Sequence, residues 1–322
     1  MNSYSWLQQK LHQFALSSQI MREAMFDIES SAISSNQINE DHVFVSGLAR
    51  SGTTILLNAI YKSDQFSSLS YKDMPFVLAP NLWSKLSISN TDKDLVDRAH
   101  GDGIKVSKTS PEAFEEVFWM TFAEDVDDTK AKFKNYVQLI NHKYNKKRYL
   151  SKNNQNINRL ELISDIFPKS KILIPYRNPI KHGQSLLNQH KRFIKNSKKD
   201  NFISKYMKWI GHTEFGPNYI PIHNKNLLFN DDLNINHWLE QWYLTYQNCF
   251  DNLKNNENVH FICYEKLCNS NKYWMNILKN LNITETYDFI FKESKNSIMS
   301  HRTDMDITNK SLSLYEEISR FV

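Results

Sequence analysis

Seven glycines in 322 residues is about 2%, against a usual ~7%, so a local gathering of glycine marks a backbone need. Gly47 and Gly52 stand five positions apart in Gly47-Leu48-Ala49-Arg50-Ser51-Gly52-Thr53-Thr54. This is the frame of a phosphate-binding loop, with a hydroxyl residue opening a helix but Thr53 in the place of the usual lysine. Glycines at these places let the backbone turn its N–H groups inward as an anion nest, to which a helix starting near Thr53 adds its positive end. Arg50 supplies the charge that the absent lysine would have brought. No acidic residue closes the apolar run 172–176, so Mg²⁺-dependent γ-phosphoryl transfer is poorly provided for. The plain alternative is a tight strand-to-helix turn that needs glycine for its dihedrals.

The residues Arg50-Ser51-Gly52-Thr53-Thr54 resemble the 5′-phosphosulfate loop of the sulfotransferases that use 3′-phosphoadenosine 5′-phosphosulfate (PAPS) as donor. Tyr176-Arg177-Asn178-Pro179 followed by Ser185-Leu186 is similar to that family's second element, a turn and a serine-bearing helix that hold the donor's 3′-phosphate. Asn178 replaces the more usual aspartate. Tyr264-Glu265-Lys266-Leu267 is similar to a third, mainly structural element. The order of Lys152-Asn153, a helix over 158–167 and a strand over 171–176 is closest to the bacterial and protein-tyrosine branches. The resemblance implies a P-loop-like three-layer α/β fold, a central parallel sheet flanked by helices, with helical insertions. It also implies sulfuryl transfer from PAPS to a hydroxyl or amine acceptor, PAP as product and no metal.

Sulfuryl transfer is an in-line displacement that depends on positioning and on neutralising the charge that moves to the leaving phosphate. Around the sulfonate and 5′-phosphate the expected residues are Ala49, Arg50, Ser51, Gly52, Thr53 and Thr54, joined by Lys152, which the resemblance brings near the scissile bond. Arg177 and Ser185 are expected on the 3′-phosphate. Arg192, seven residues further along the same helix, either joins them or is an ordinary solvated residue. The resemblance also puts a carboxylate base about one strand beyond the loop. There Asp73 is the candidate, with His182, His190 and His212 as competitors. Two other readings compete: a P-loop nucleotide phosphotransferase (kinase), and a nucleotide-binding module without catalysis.

The elements that must position these groups follow from apolar patterning. His42-Val43-Phe44-Val45-Ser46 has the continuous β-branched and aromatic run of a buried parallel strand leading into the loop. Helical spacing over 54–61, 111–122, 131–144, 158–167 and 180–194 alternates with short apolar runs at 104–107, 149–151 and 171–176, which predicts βαβ units. Residues 66–70 are expected beside the first strand, ending at the same sheet edge as the loop. A helix-rich stretch around 238–253, a strand over 259–264 and further short helices complete the chain. With no repeat and no Pro, Gly or Ser-rich linker, residues 1–322 read as one domain. In it, 1–35 form an amphipathic helix with an apolar stripe (Leu7, Leu11, Phe14, Met21, Met25, Ile28) packed on the domain or a partner. Few basic residues on its polar face speak against a membrane-surface helix.

The remaining composition bounds partners and place. Lys+Arg at 40 against Asp+Glu at 35 gives +5, suited to a small anionic ligand and short of a nucleic-acid-binding stripe. Cys249, Cys263 and Cys268 are odd in number, so a reducing, cytoplasmic setting is expected, with no zinc pattern. No apolar run reaches membrane-spanning length and no signal-peptide layout opens the chain. The aromatic set Tyr206, Trp209, Phe215, Tyr219, Trp238, Trp242, Tyr243 and Tyr246 reads as core before pocket. Small-molecule, glycan, lipid and peptide acceptors, and a homodimer, stay open.

Overall fold

The computed structural model describes residues 5–32, 39–86, 96–97, 105–107, 109–197, 201–285, 287–292 and 302–321. Among the described residues the strands are β1 (Val43–Val45), β2 (Phe66–Ser67), β3 (Val96–Asp97), β4 (Lys105–Val106), β5 (Arg148–Lys152), β6 (Lys171–Tyr176) and β7 (Val259–Cys263). The helices are α1 (Trp6–Leu16), α2 (Gln19–Ala32), α3 (Thr53–Tyr61), α4 (Pro80–Leu86), α5 (Glu116–Phe122), α6 (Val126–Tyr144) and α7 (Leu160–Ile166). They continue as α8 (Pro179–Ser197), α9 (Asn201–Trp209), α10 (Ile235–Leu253), α11 (Tyr264–Asn269), α12 (Asn271–Asn280) and α13 (Met305–Phe321).

Five strands form a parallel sheet in the order β2-β5-β1-β6-β7. Burial on both faces explains why β1 reads as an unbroken apolar run: Val43, Phe44 and Val45 are all at most 1% exposed. Side chains alternate between the faces. Phe44, Ile172 and Ile174 join the core with Phe133 and Val137 of α6, Leu186 of α8 and Trp242 of α10. Val43, Val45, Leu150 and Leu173 face the opposite way, toward Leu56 and Ile60 of α3 and Trp274 and Leu278 of α12. The result is the expected three-layer α/β sandwich. β1 lies between β5 and β6, where the chain passes from one half of the sheet to the other, and at such a switch point ligands bind beyond the carboxyl ends of the strands.

Several local expectations are corrected. The strand that begins at Phe66 pairs with β5 and not with β1, because β5 inserts between them. The run expected at 104–107 contributes Lys105–Val106 to an antiparallel ribbon with Val96–Asp97, outside the main sheet; Ile104 itself lies outside the described residues. The helix expected from Pro111 starts only at Glu116, since Pro111 bridges Ser70 and the Glu112 N–H donates to the Leu69 carbonyl at 3.0 Å. The single helix expected over 1–35 is two, broken at Ser17-Ser18. There Arg22 turns back, donating from Nη1 to the Leu16 carbonyl (2.6 Å) and from Nε to Thr121 Oγ1 (2.7 Å), which satisfies an orphan carbonyl of α1 and fastens α2 to the domain. The carboxyl-terminal α13 is 17 residues long, not short. Tyr206, Trp238, Trp242 and Tyr246 are buried in the core.

Candidate active site

The loop after β1 holds two residues in the left-handed region, Arg50 (φ 70°) and Gly52 (φ 105°), the latter directly preceding α3. At such dihedrals side chains are disfavoured, and Gly52 has a second constraint: a Cβ there would stand 2.4 Å from the Tyr264 ring. At Gly47 a Cβ would come within 3.0 Å of the Pro175 carbonyl oxygen. Neither glycine is a mere turn former, since each lets another chain segment press on the loop. The first N–H groups of α3 have no intrahelical acceptor, and the positive end of the helix faces the loop. Thr53 is buried, and its hydroxyl donates to Asn154 Oδ1 at 3.2 Å.

The turn after β6 meets this loop. Arg177 Nη1 donates to the Arg50 carbonyl (3.4 Å), Arg50 Nε donates to Ser185 Oγ on α8 (3.3 Å), and His182 Nε2 donates to the Ala49 carbonyl (2.8 Å). Arg177 is 9% exposed, and its Nε is buried with no hydrogen-bond partner among the described residues. A buried guanidinium with an unused donor is costly to hold and is suited to an oxyanion. Arg192 follows Ser185 by seven residues, about 10 Å along the helix, and is exposed. The Tyr264-Glu265 segment ties both phosphate-side elements together. Tyr264 packs on Gly52, the Arg177 guanidinium lies 5.7 Å from its ring centroid, and Glu265 Oε1 accepts from the Asn178 N–H at 2.9 Å.

Lys152 ends β5, is 6% exposed, and stands in register with Val45 of β1. The segment after it is clamped by two carboxylates that composition and spacing did not single out. Glu115 accepts from Asn156 Nδ2 (2.6 Å), Trp119 Nε1 (2.9 Å) and Tyr149 OH (3.0 Å). Glu116 makes a two-pronged pair with Arg159 and accepts from Asn153 Nδ2 at 2.8 Å. Burial pushes the Glu116 carboxyl up from its ordinary value, against the pull of Arg159. The available signal was the adjacent Glu115-Glu116 pair facing an Asn-rich segment with one arginine.

Asp73 does not join this group. It sits in a short 3₁₀ turn after β2 and is 0% exposed. Its Oδ2 accepts from the Ser70 N–H (2.6 Å), Ser70 Oγ (3.1 Å) and Tyr144 OH (2.6 Å), while Oδ1 pairs with Lys143. Lys143 and Tyr144 end α6 just before the amino end of β5, whereas the loop follows the carboxyl end of β1. The competing histidines each have one ring nitrogen engaged. His190 Nδ1 accepts from the Gly216 N–H (3.2 Å), and His212 Nε2 lies 3.4 Å from the Ala113 carbonyl.

Burial, with Arg177 and Arg50 nearby, drives His182 down to about 3. An unfolded chain takes up this proton near pH 6.5, so below that pH the unfolded state binds more protons than the folded one. The stability due to His182 is present above pH 6.5 and is lost as the pH falls, by up to about 1.4 kcal/mol per unit. His42, also down at about 3, adds a like share. Urea unfolding between pH 6.5 and 4 should therefore show a steep loss in the wild type and a shallower one in His182→Gln. Equal slopes would mean that His182 is not buried in its neutral form.

Among the described residues, no group of three or more His, Cys, Asp or Glu is arranged to hold a metal ion, and no helix is long and apolar enough to cross a membrane. No curated protein matches the chain in sequence. Its structure is similar to that of the sulfotransferase STF1 of Mycobacterium tuberculosis, at 10% identity and a TM-score of 0.51, over 98% of this chain and 86% of that one. A sulfotransferase STF9 of Mycobacterium avium aligns at 11% identity and a TM-score of 0.46, over 99% of this chain and 79% of that one. One of Alicyclobacillus acidocaldarius aligns at 14% and 0.43, over 87% and 93%. At 10% identity the first of these speaks to the fold alone. Residues 42–214, which hold the loop, Lys152, the Arg177 turn and Ser185, match the sulfotransferase family, and to that family the chain belongs.

Proposed function

We propose that this sulfotransferase takes its sulfuryl group from PAPS and transfers it in line to a hydroxyl or amine acceptor, releasing PAP. The observation that most supports the reading is the buried Arg177, with its unused Nε, beside Arg50 and Ser185: a cluster of two guanidinium groups and a hydroxyl at the switch point of the sheet, next to the loop after β1. In this reading Arg177 and Ser185 hold the 3′-phosphate, with Arg192 at the outer margin. The amides of Ala49, Arg50, Gly52 and Thr53 and the hydroxyl of Thr54 hold the 5′-phosphate and sulfonate, while Ser51 shapes the turn by donating its N–H to the Leu48 carbonyl at 3.2 Å. Arg50 and Lys152 neutralise the charge that grows on the leaving phosphate. The two phosphate sites would discriminate PAP from nucleotides that lack a 3′-phosphate.

A melting assay tests this with PAP, with ATP and Mg²⁺, and without ligand. PAP alone should raise the melting temperature with no metal added; stabilisation by ATP and Mg²⁺ instead would turn the assignment to phosphoryl transfer. Arg177→Ala should weaken PAP binding by about 2 kcal/mol or more, through loss of a charge-assisted contact, and leave adenosine 5′-phosphosulfate binding nearly unchanged. Equal losses for both ligands would remove Arg177 from the 3′-phosphate.

A further inference from the structure

We propose that Glu214 takes the acceptor's proton in sulfuryl transfer, an assignment that rests on the donor reading above. The first support is a relay of side chains. Thr53 Oγ1 donates to Asn154 Oδ1 at 3.2 Å, and Asn154 Nδ2 donates to Glu214 Oε1 at 3.0 Å. Asn154 is buried, and both ends of its amide are used, so its orientation is set and with it the place of the carboxylate. The relay starts on the loop residue that takes the lysine's place and passes two residues beyond Lys152.

The second support is how the segment carrying Glu214 is held. On one side Gly211, at φ +74°, lies so close to α5 that a Cβ would be 2.4 Å from Glu116 Cγ, and Gln155 Nε2 donates to Thr213 Oγ1 at 3.2 Å. On the other side the Gly216 N–H donates to His190 of α8 at 3.2 Å. Residues 211–216 thus run as a strap from the loop after β5 to the helix after β6, across the crevice from which the loop after β1 emerges. Glu214 sits midway along it.

The third support is chemical availability. Asp73, Glu115 and Glu116 are consumed by ion pairs or several donors each. Glu214 is half-buried, and only its Oε1 is engaged; no ion pair reaches it among the described residues. In the step proposed, a lone pair of the acceptor oxygen forms the new O–S bond. The bridging S–O bond breaks with its electrons to the 5′-phosphate of the donor, and the acceptor's proton goes to Glu214 and then to water.

The test uses the full chain and water as the acceptor, so that no unidentified substrate is needed: PAP release from PAPS is followed at one pH near 7 in the wild type, Glu214→Gln and Glu214→Asp. Glu214→Gln keeps an oxygen for Asn154 but cannot take a proton, so PAP should stabilise it as it does the wild type. PAP release should fall about a hundredfold, with part of the rate restored in Glu214→Asp. A wild-type rate no higher than that of Glu214→Gln overturns the proposal. Failure of PAP to stabilise the wild type would instead strike the donor reading, so the two failures are distinguishable.

Discussion

Asp73→Ala should lower the stability of the fold by about 3–5 kcal/mol, because it leaves Lys143 without its partner and strands donors from Ser70 and Tyr144 in a buried site. Few single substitutions are so costly, and the cause is the absence of water around a carboxylate that is 0% exposed. Urea or thermal unfolding measures the loss directly. Donor turnover by the folded fraction, assayed well below the melting transition, should stay near that of the wild type. The sequence leads to the opposite expectation for Asp73→Asn, a hundredfold loss of transfer with an unmoved melting temperature. If Asp73→Ala keeps the wild-type melting temperature while transfer collapses, the carboxylate is catalytic after all.

Lys152→Ala should reduce donor turnover by about a hundredfold and leave PAP affinity within a few-fold of the wild type. The argument is one of place and timing. Lys152 stands at the carboxyl end of β5, its backbone in register with Val45 and the following Asn153 N–H donating to the Val45 carbonyl at 3.1 Å. Its ammonium is thus delivered from the strand adjacent to the loop. The leaving phosphate gains charge only as the S–O bond breaks, so a cation assigned there acts on the barrier more than on the bound state. Lys152→Arg, which keeps the charge with a different geometry, should recover part of the rate. Titration calorimetry decides the matter, since loss of PAP binding in Lys152→Ala would make the residue a ground-state anchor.

What could be read from the sequence was local. β1 and its loop were legible because a strand buried on both faces leaves a continuous apolar run, and because two glycines in so glycine-poor a chain stand out. The Arg177 turn was legible for a similar reason, with Pro179 opening α8. The use of Asp73 was hidden because Lys143 and Tyr144 lie some seventy residues away, and no spacing rule links them. Strand order was equally hidden: β2 precedes β5 by about eighty residues, yet β5 takes the place next to β1. Residues 111–115 carry helical spacing, but a bridge from Pro111 to Ser70 claims their backbone first. Glu214 sits on a strap without periodicity, visible only once Asn154 and Thr53 are seen beside it. Glu265, which reads as structural, does more than pack, since it fixes the turn that carries Arg177.

The left-handed Arg50 has a consequence for the timing of entropy loss. A non-glycine residue at φ 70° holds roughly 1–3 kcal/mol of conformational strain, and it persists only where its surroundings over-determine it. Here the Ala49 carbonyl is held by His182, the Arg50 carbonyl by Arg177, and Gly52 lies under Tyr264. The loop is thereby shaped when the chain folds, not each time an anion arrives. The fold bears that cost once, as a lower melting temperature of the empty protein, and binding is relieved of it at every turnover.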